Sequence, residues 1–209
     1  MKTRLFSYLT LVWLLTIAVL ATIYGAWLFY PLEVDSLKLT EQVPLAKPEL
    51  LENYNILLTY LTSPFSQVLD MPDFPSSASG LKHFADVKML FHLVQVIFLA
   101  TSYPAVRFLV ITSRTKSLWS YQQYFLTAAL VPLGIGVFGV LIGFEQFFTL
   151  FHQLLFPGDS SWLFNPATDP IISVLSEMFF LHCFILFLVL YEVLMLGMFG
   201  KCRKMLKRA

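Results

Sequence analysis

At 209 residues the chain has room for one domain, at most two, and its 57 % apolar, 16 % aromatic and 13 % charged residues lie far from soluble averages of about 45–50 % apolar and about 25 % charged. A water-soluble globule is excluded. A net charge of +1, with the basic residues confined to the flanks of apolar runs, leaves no electrostatic surface for nucleic acid. Cys183 lies inside an apolar run and Cys202 in a basic tail, so neither a disulfide framework nor a zinc site can be drawn.

Leu5 to Tyr30 carries no charge and exceeds the ~20 residues of helix that cross a hydrocarbon core. A cleavable signal peptide is the rival reading, because Met1-Lys2-Thr3-Arg4 is basic and Val19-Leu20-Ala21 resembles a cleavage site. The apolar run, however, continues through Trp27 and Phe29, beyond the ~7–15 residues of a signal core, and we read it as span one. Span two is expected over about 86–112, span three over 123–151 and span four over 169–199, with an outer loop over 31–85 and a basic tail over 200–209. Lys2 and Arg4 precede span one. Arg107, Arg114 and Lys116 lie at the junction of spans two and three, and Lys201, Arg203, Lys204, Lys207 and Arg208 follow span four. The positive-inside rule then puts both termini in the cytoplasm. Glu33, Asp35, Glu41, Glu49, Glu52, Asp70, Asp73, Asp159 and Asp169 all fall in the segments assigned outside.

The outer loop is too long for a simple turn. After Pro48, Leu50, Leu51, Tyr54, Leu57, Leu58 and Leu61 recur at helical spacing among Glu49, Glu52, Asn53 and Asn55, the pattern of an amphipathic helix on the outer interface. Pro64 ends it. Pro72, Pro75 and Gly80 with a serine cluster predict an irregular stretch or short hairpin up to Leu81. The fold class expected is thus all-α integral membrane: four transmembrane helices with an extracellular loop containing an interfacial amphipathic helix, a single membrane domain over residues 1–209.

Gly134-Ile135-Gly136-Val137-Phe138-Gly139 fits a dinucleotide fingerprint by spelling, but it lies inside an apolar span without the required strand. Gly136, Gly139 and Gly143 read instead as small residues that let helices approach. Of the four histidines, His92 and His182 lie within spans and read as ordinary buried imidazoles bonded to a neighbouring helix. His83 ends the outer loop three residues before Asp86, which is placed to cap span two, and His152 is at the outer end of span three. Two imidazoles at one membrane depth make a candidate proton-handling pair, against the alternative of ordinary interfacial histidines. Glu145 and Glu177 should lie one to two turns below the outer surface, where a carboxylate is paired or in a wet cavity. Glu145, Thr149 and His152 are spaced to share a helix face, which would open a polar cleft to the outer leaflet. The alternative is a structural pair such as Glu177 with Lys88. Glu192 is expected to meet a basic residue of the cytoplasmic ends.

Leu81-Lys82-His83-Phe84-Ala85-Asp86-Val87-Lys88 resembles a His-x-x-Asp-Val-Lys element. Phe147 to Phe156 with Gly158-Asp159 and Trp162 is similar to a Phe-His signature, and Asn165 to Ile172, Ser176 to Phe180, and the loop helix with Tyr54 and Tyr60 continue the likeness. Together they resemble the four-span membrane family of Gram-positive bacteria that includes the lipoprotein intramolecular transacylase. Ser176 departs from it, standing where proline is expected.

The resemblance implies an acyltransferase of the bacterial cytoplasmic membrane with its site facing the outer leaflet. An acyl chain would move from the glyceryl group of a diacylglyceryl-modified lipoprotein to the α-amine of its amino-terminal cysteine, giving the lyso-form. His83 and His152 would serve as catalytic acid and base, with Asp86, Lys88, Glu145, Thr149 and Glu177 supporting. Ester-to-amide transfer within one tethered molecule requires no cofactor, nucleotide or metal. The partners implied are the lipoprotein and membrane lipid. The alternative from another class is a non-enzymatic membrane accessory or lipid-binding subunit that uses the loop helix as a docking surface.

Overall fold

The computed structural model describes residues 2–207, with side chains from Arg4 onward, so Arg208 and the side chain of Lys2, both used above for orientation, lie outside the described residues. Among the described residues six α-helices follow in chain order: α1 (Lys2–Ser36), α2 (Lys47–Thr62), α3 (Ala78–Arg114), α4 (Gln122–Ile142), α5 (Phe144–Leu155) and α6 (Glu177–Leu206), with short 3₁₀ turns at Leu39–Glu41, Leu118–Tyr121 and Pro170–Ser173. Four helical segments of the described residues are long and apolar enough to cross a membrane: Arg4–Ser36, Ala78–Arg114, Leu118–Ile142 and Glu177–Leu206.

Several boundaries differ from the sequence expectation. Helix α1 runs through Pro31 to Ser36, although a proline at that depth forgoes its own N–H bond to the preceding turn. Helix α3 begins eight residues before Asp86, at Ala78. The third span does not continue to Phe151. It stops at Ile142, and Gly143, with φ +87°, turns the chain into the separate helix α5. Nothing lies within 4 Å of where a Gly143 side chain would be, so this glycine supplies a backbone conformation closed to other residues and not close helix approach. Helix α6 begins at Glu177, after a 3₁₀ turn, rather than at Asp169.

The chain forms two compact units. One comprises Met1–Thr22, Val94–Leu141 and Phe184–Ala209. Its core is Leu14, Ala18, Phe108, Leu118, Phe125, Ala129, Tyr191, Met195 and Cys202. Polar groups there are spent on neighbours: Trp13 Nε1 donates to Ser102 Oγ (2.9 Å) and Tyr191 OH to the Ala128 carbonyl (3.1 Å). A Cβ added at Gly136 would lie 3.4 Å from Leu188 Cδ2. Glu192 is buried, yet neither carboxylate oxygen has a hydrogen-bond partner among the described residues. The expected basic partner is not there.

The other unit comprises Ile23–Leu93 and Ile142–Cys183. Helix α2 starts where Glu49 accepts the Ala46 N–H (2.7 Å), and it buries the apolar stripe read from the sequence, Leu50, Tyr54, Leu57, Leu58 and Leu61. Tyr54 stacks on Tyr30 (ring centroids 3.6 Å), and Phe179 sets its edge against both. Asn53, fully buried, binds both ways to Asp73: Nδ2 donates to its carboxylate (2.7 Å) and Oδ1 accepts its N–H (3.1 Å). This pins the irregular stretch after α2 onto the helix.

Candidate active site

His83 is positioned by the start of α3. Ser77 caps that helix, its Oγ accepting the Gly80 N–H (3.0 Å), the usual duty of a serine at this place. The Ser77 N–H in turn donates to Oδ1 of the buried Asp169 (2.8 Å), whose Oδ2 accepts the Thr168 hydroxyl (2.8 Å). Gly80 makes that approach possible, since a Cβ there would collide with the Asp169 carboxylate. Asp86 is therefore not the cap. It lies in the third turn of α3 and receives the Lys82 ammonium (2.9 Å).

His152 lies in the last turn of α5, and its Nδ1 is 2.8 Å from the Phe148 carbonyl oxygen. A carbonyl only accepts, so Nδ1 carries the hydrogen and the neutral ring keeps its lone pair on Nε2. Burial lowers the His152 pKa from its ordinary value, and the bond to Phe148 partly opposes this.

The two imidazoles, 5 % and 9 % exposed, have ring centroids 5.8 Å apart. Aromatic rings wall them in: Phe156 and Phe164 on His83 (5.0 and 5.5 Å), Phe148 and Trp162 on His152 (4.1 and 4.9 Å). His83 Nδ1 is buried and has no hydrogen-bond partner among the described residues. Lys82, the neighbour of His83, bridges Asp86 and Asp159. The Lys82 ammonium, and after it the Ser161 N–H, hold the Asp159 carboxyl down at about 2. A cavity of about 300 Å³ adjoins this bridge, lined by Asp86, Met89, Leu90, Leu155, Phe156 and Asp159. Its walls are apolar and its rim is charged.

The other expected residues are placed differently. Lys88 donates to the Ser66 carbonyl and covers the Tyr60 ring at 4.2 Å, so it is not the partner of Glu177. Glu145 and Glu177 lie exposed in the first turns of α5 and α6 and make no hydrogen bond or ion pair among the described residues. There they complement the helix dipoles. Thr149 is half-buried on α5, and the surroundings of His152 are aromatic instead of the expected polar cleft. His182 bonds Glu33 (2.8 Å), as a structural histidine does. Sequence reading missed Lys82 and Asp159 as an ion pair and Trp162 as the ring on His152. Among the described residues no three His, Cys, Asp or Glu side chains are grouped to hold a metal ion.

Among the described residues, four helical segments long and apolar enough to cross a membrane mark a multi-pass membrane protein, in which two buried imidazoles lie with ring centroids 5.8 Å apart. The model of the family described as "Lipoprotein intramolecular transacylase Lit" matches residues 4–180, and the chain belongs to that family. It is similar to the in meso structure of the membrane integral lipoprotein intramolecular transacylase Lit from Bacillus cereus, at TM-score 0.86 and 30 % identity over 99 % of this chain and 95 % of that one. Two structures of that protein with a histidine replaced, by alanine or by arginine, are similar at TM-scores 0.82 and 0.78. Both are 29 % identical over 99 % of this chain, with 93 % and 91 % of theirs covered. No curated protein matches the sequence.

Proposed function

We propose that this protein is a membrane acyltransferase acting on lipoproteins, and that it moves an acyl chain from the glyceryl group of a diacylglyceryl lipoprotein to the α-amine of the amino-terminal cysteine. The observation that carries the reading is the pair itself: two buried imidazoles with centroids 5.8 Å apart, one with its Nδ1–H committed and its Nε2 lone pair free. A carbon–nitrogen bond forms to the acyl carbon, the carbon–oxygen ester bond breaks, and one proton passes from the amine to the glyceryl oxygen. No other atom is exchanged. His152 Nε2 takes the amine proton, and that same proton is relayed to the leaving glyceryl oxygen, directly or through the His83 ring, so both imidazoles end the turnover as they began it. Tethering of amine and ester in one molecule supplies the effective concentration. The basic flanks of the spans support a site at the outer leaflet with both termini in the cytoplasm.

Purified protein incubated with a synthetic diacylglyceryl lipopeptide tests this. The product is an isomer of unchanged mass, so the readout is fragmentation: the acyl chain should appear on the cysteine nitrogen as amine reactivity is lost. A lipopeptide that keeps its free amine would leave the accessory-subunit reading.

A further inference from the structure

We propose that Trp162 is a positioning residue for His152, and that Lys82 holds it in place through Asp159. The proposal rests on the acyl-transfer reading above for its catalytic consequence, but not for its geometry.

An imidazole base must keep one ring nitrogen free and aimed while the other atoms of the ring are held. The Phe148 carbonyl fixes the Nδ1 edge of His152 (2.8 Å). That bond alone sets the tilt of the ring only loosely. Trp162 fixes the face: its indole lies 27° from parallel to the imidazole at 4.9 Å between centroids. Edge and face together determine the ring plane and the direction of Nε2.

Trp162 is itself held from two sides of one residue. Its Nε1–H donates to the Asp159 carbonyl (3.0 Å), and the Asp159 carboxylate, through Oδ1, accepts the Ser161 N–H (2.9 Å) just before it in the chain. The remaining carboxylate oxygen meets Lys82, one residue from His83 on α3. One ammonium on the His83 helix thus anchors the loop that carries the indole covering His152.

The indole has a second effect. A cation over an aromatic face is stabilised by the ring quadrupole, and exposed cases amount to about half a pKa unit or more. Trp162 therefore favours the imidazolium that forms when His152 takes a proton, against the burial that disfavours it. The groups facing His152 are few: Phe148 and Phe151 from α5, His83 from α3, and Phe156 and Trp162 from the following loop. Only His83 among them titrates. Lys82, Asp86 and Asp159 surround His83 with one positive and two negative charges.

The test is an NMR titration of His152 in the purified full-length protein, alongside kinetics on a diacylglyceryl lipopeptide. Trp162→Leu should lower the His152 midpoint by about half a pH unit and reduce kcat at least tenfold with KM within about twofold. Trp162→Phe keeps an aromatic face and should restore the midpoint and most of kcat. Lys82→Met and Asp159→Asn should each lower kcat, with the double variant no slower than the worse single one, because each acts through the other. Lys82→Arg should rescue. An unmoved midpoint in Trp162→Leu, or additive losses at Lys82 and Asp159, overturns the inference. If the unsubstituted protein has no activity, the acyl-transfer reading fails, while the titration still decides whether Trp162 acts on His152.

Discussion

A histidine serves as a base only while it is neutral, and the surroundings of His152 keep it so. Its pKa lies below the ordinary value because of burial, so the protonated form accumulates only below about pH 6.5. The substrate α-amine titrates at about 7.7–8.0 and attacks only when neutral. The sign is therefore fixed: kcat/KM should rise with pH up to about 8 under control of the amine. Any inflection from His152 should fall on the acid side of the free-imidazole value of about 6.5, and a rate profile measured from pH 5 to 9 checks it. His92→Ala should leave specific activity within about twofold, since His92, expected to bond a neighbouring helix, has a buried Nε2 without a hydrogen-bond partner among the described residues and no ring contact with His83 or His152 there. The two candidate histidines were visible in the sequence because only four histidines occur and all lie in or beside apolar runs. Trp162 and Asp159 were not, because their contacts depend on how the loop after α5 folds back. The misplaced role of Asp86 has a simple origin: the helix begins at the serines before it, which read as loop.

Two glycines decide where the elements around the site begin. Gly143 separates α4 from α5 with a φ of +87° and open space around it, so Gly143→Ala adds strain without a clash, about 1–3 kcal/mol. Gly80 lets the start of α3 meet Asp169, and Gly80→Ala forces the buried carboxylate away at a cost of about 1–3 kcal/mol. Thermal unfolding of the purified variants checks both. The alanine at position 80 should also reduce activity, because it displaces the turn that carries His83, and restored stability in a second-site variant should restore activity with it. An apolar run from residue 123 to 151 gives no hint of the break in hydropathy alone. The signal present was Gly143 itself, followed by Glu145 in a first helical turn, and small residues inside spans also serve close packing, which hid it. The amphipathic helix α2 was readable because its period of apolar positions is local. Its anchoring by Asn53 to Asp73 was not, since that pair joins segments 20 residues apart.

The four spanning segments were legible from composition, because lipid demands long uncharged helices and few residues can supply them. Orientation is a further claim, resting on basic flanks. A cysteine introduced by Asp70→Cys, at an exposed position of the outer segment, in a chain with Cys183→Ala and Cys202→Ser, should react with an impermeant maleimide in intact cells. Labelling only after lysis would reverse the topology and remove the outer-leaflet site. Membership of the transacylase family is carried by the match over residues 4–180 and by structural likeness across nearly the whole chain. The roles of individual side chains are a chemical argument and stand on their own tests.

The central claim is that His83 and His152 act as one unit in proton transfer. Single-turnover rates on a diacylglyceryl lipopeptide, for the unsubstituted protein, His83→Gln, His152→Gln and the double variant, address it directly. Each single loss should slow acyl transfer by about 10²–10⁴-fold, and the double variant should be no slower than the worse single one, because groups acting in one step fail together. A folded single variant at full rate, or losses that multiply in the double variant, would contradict it.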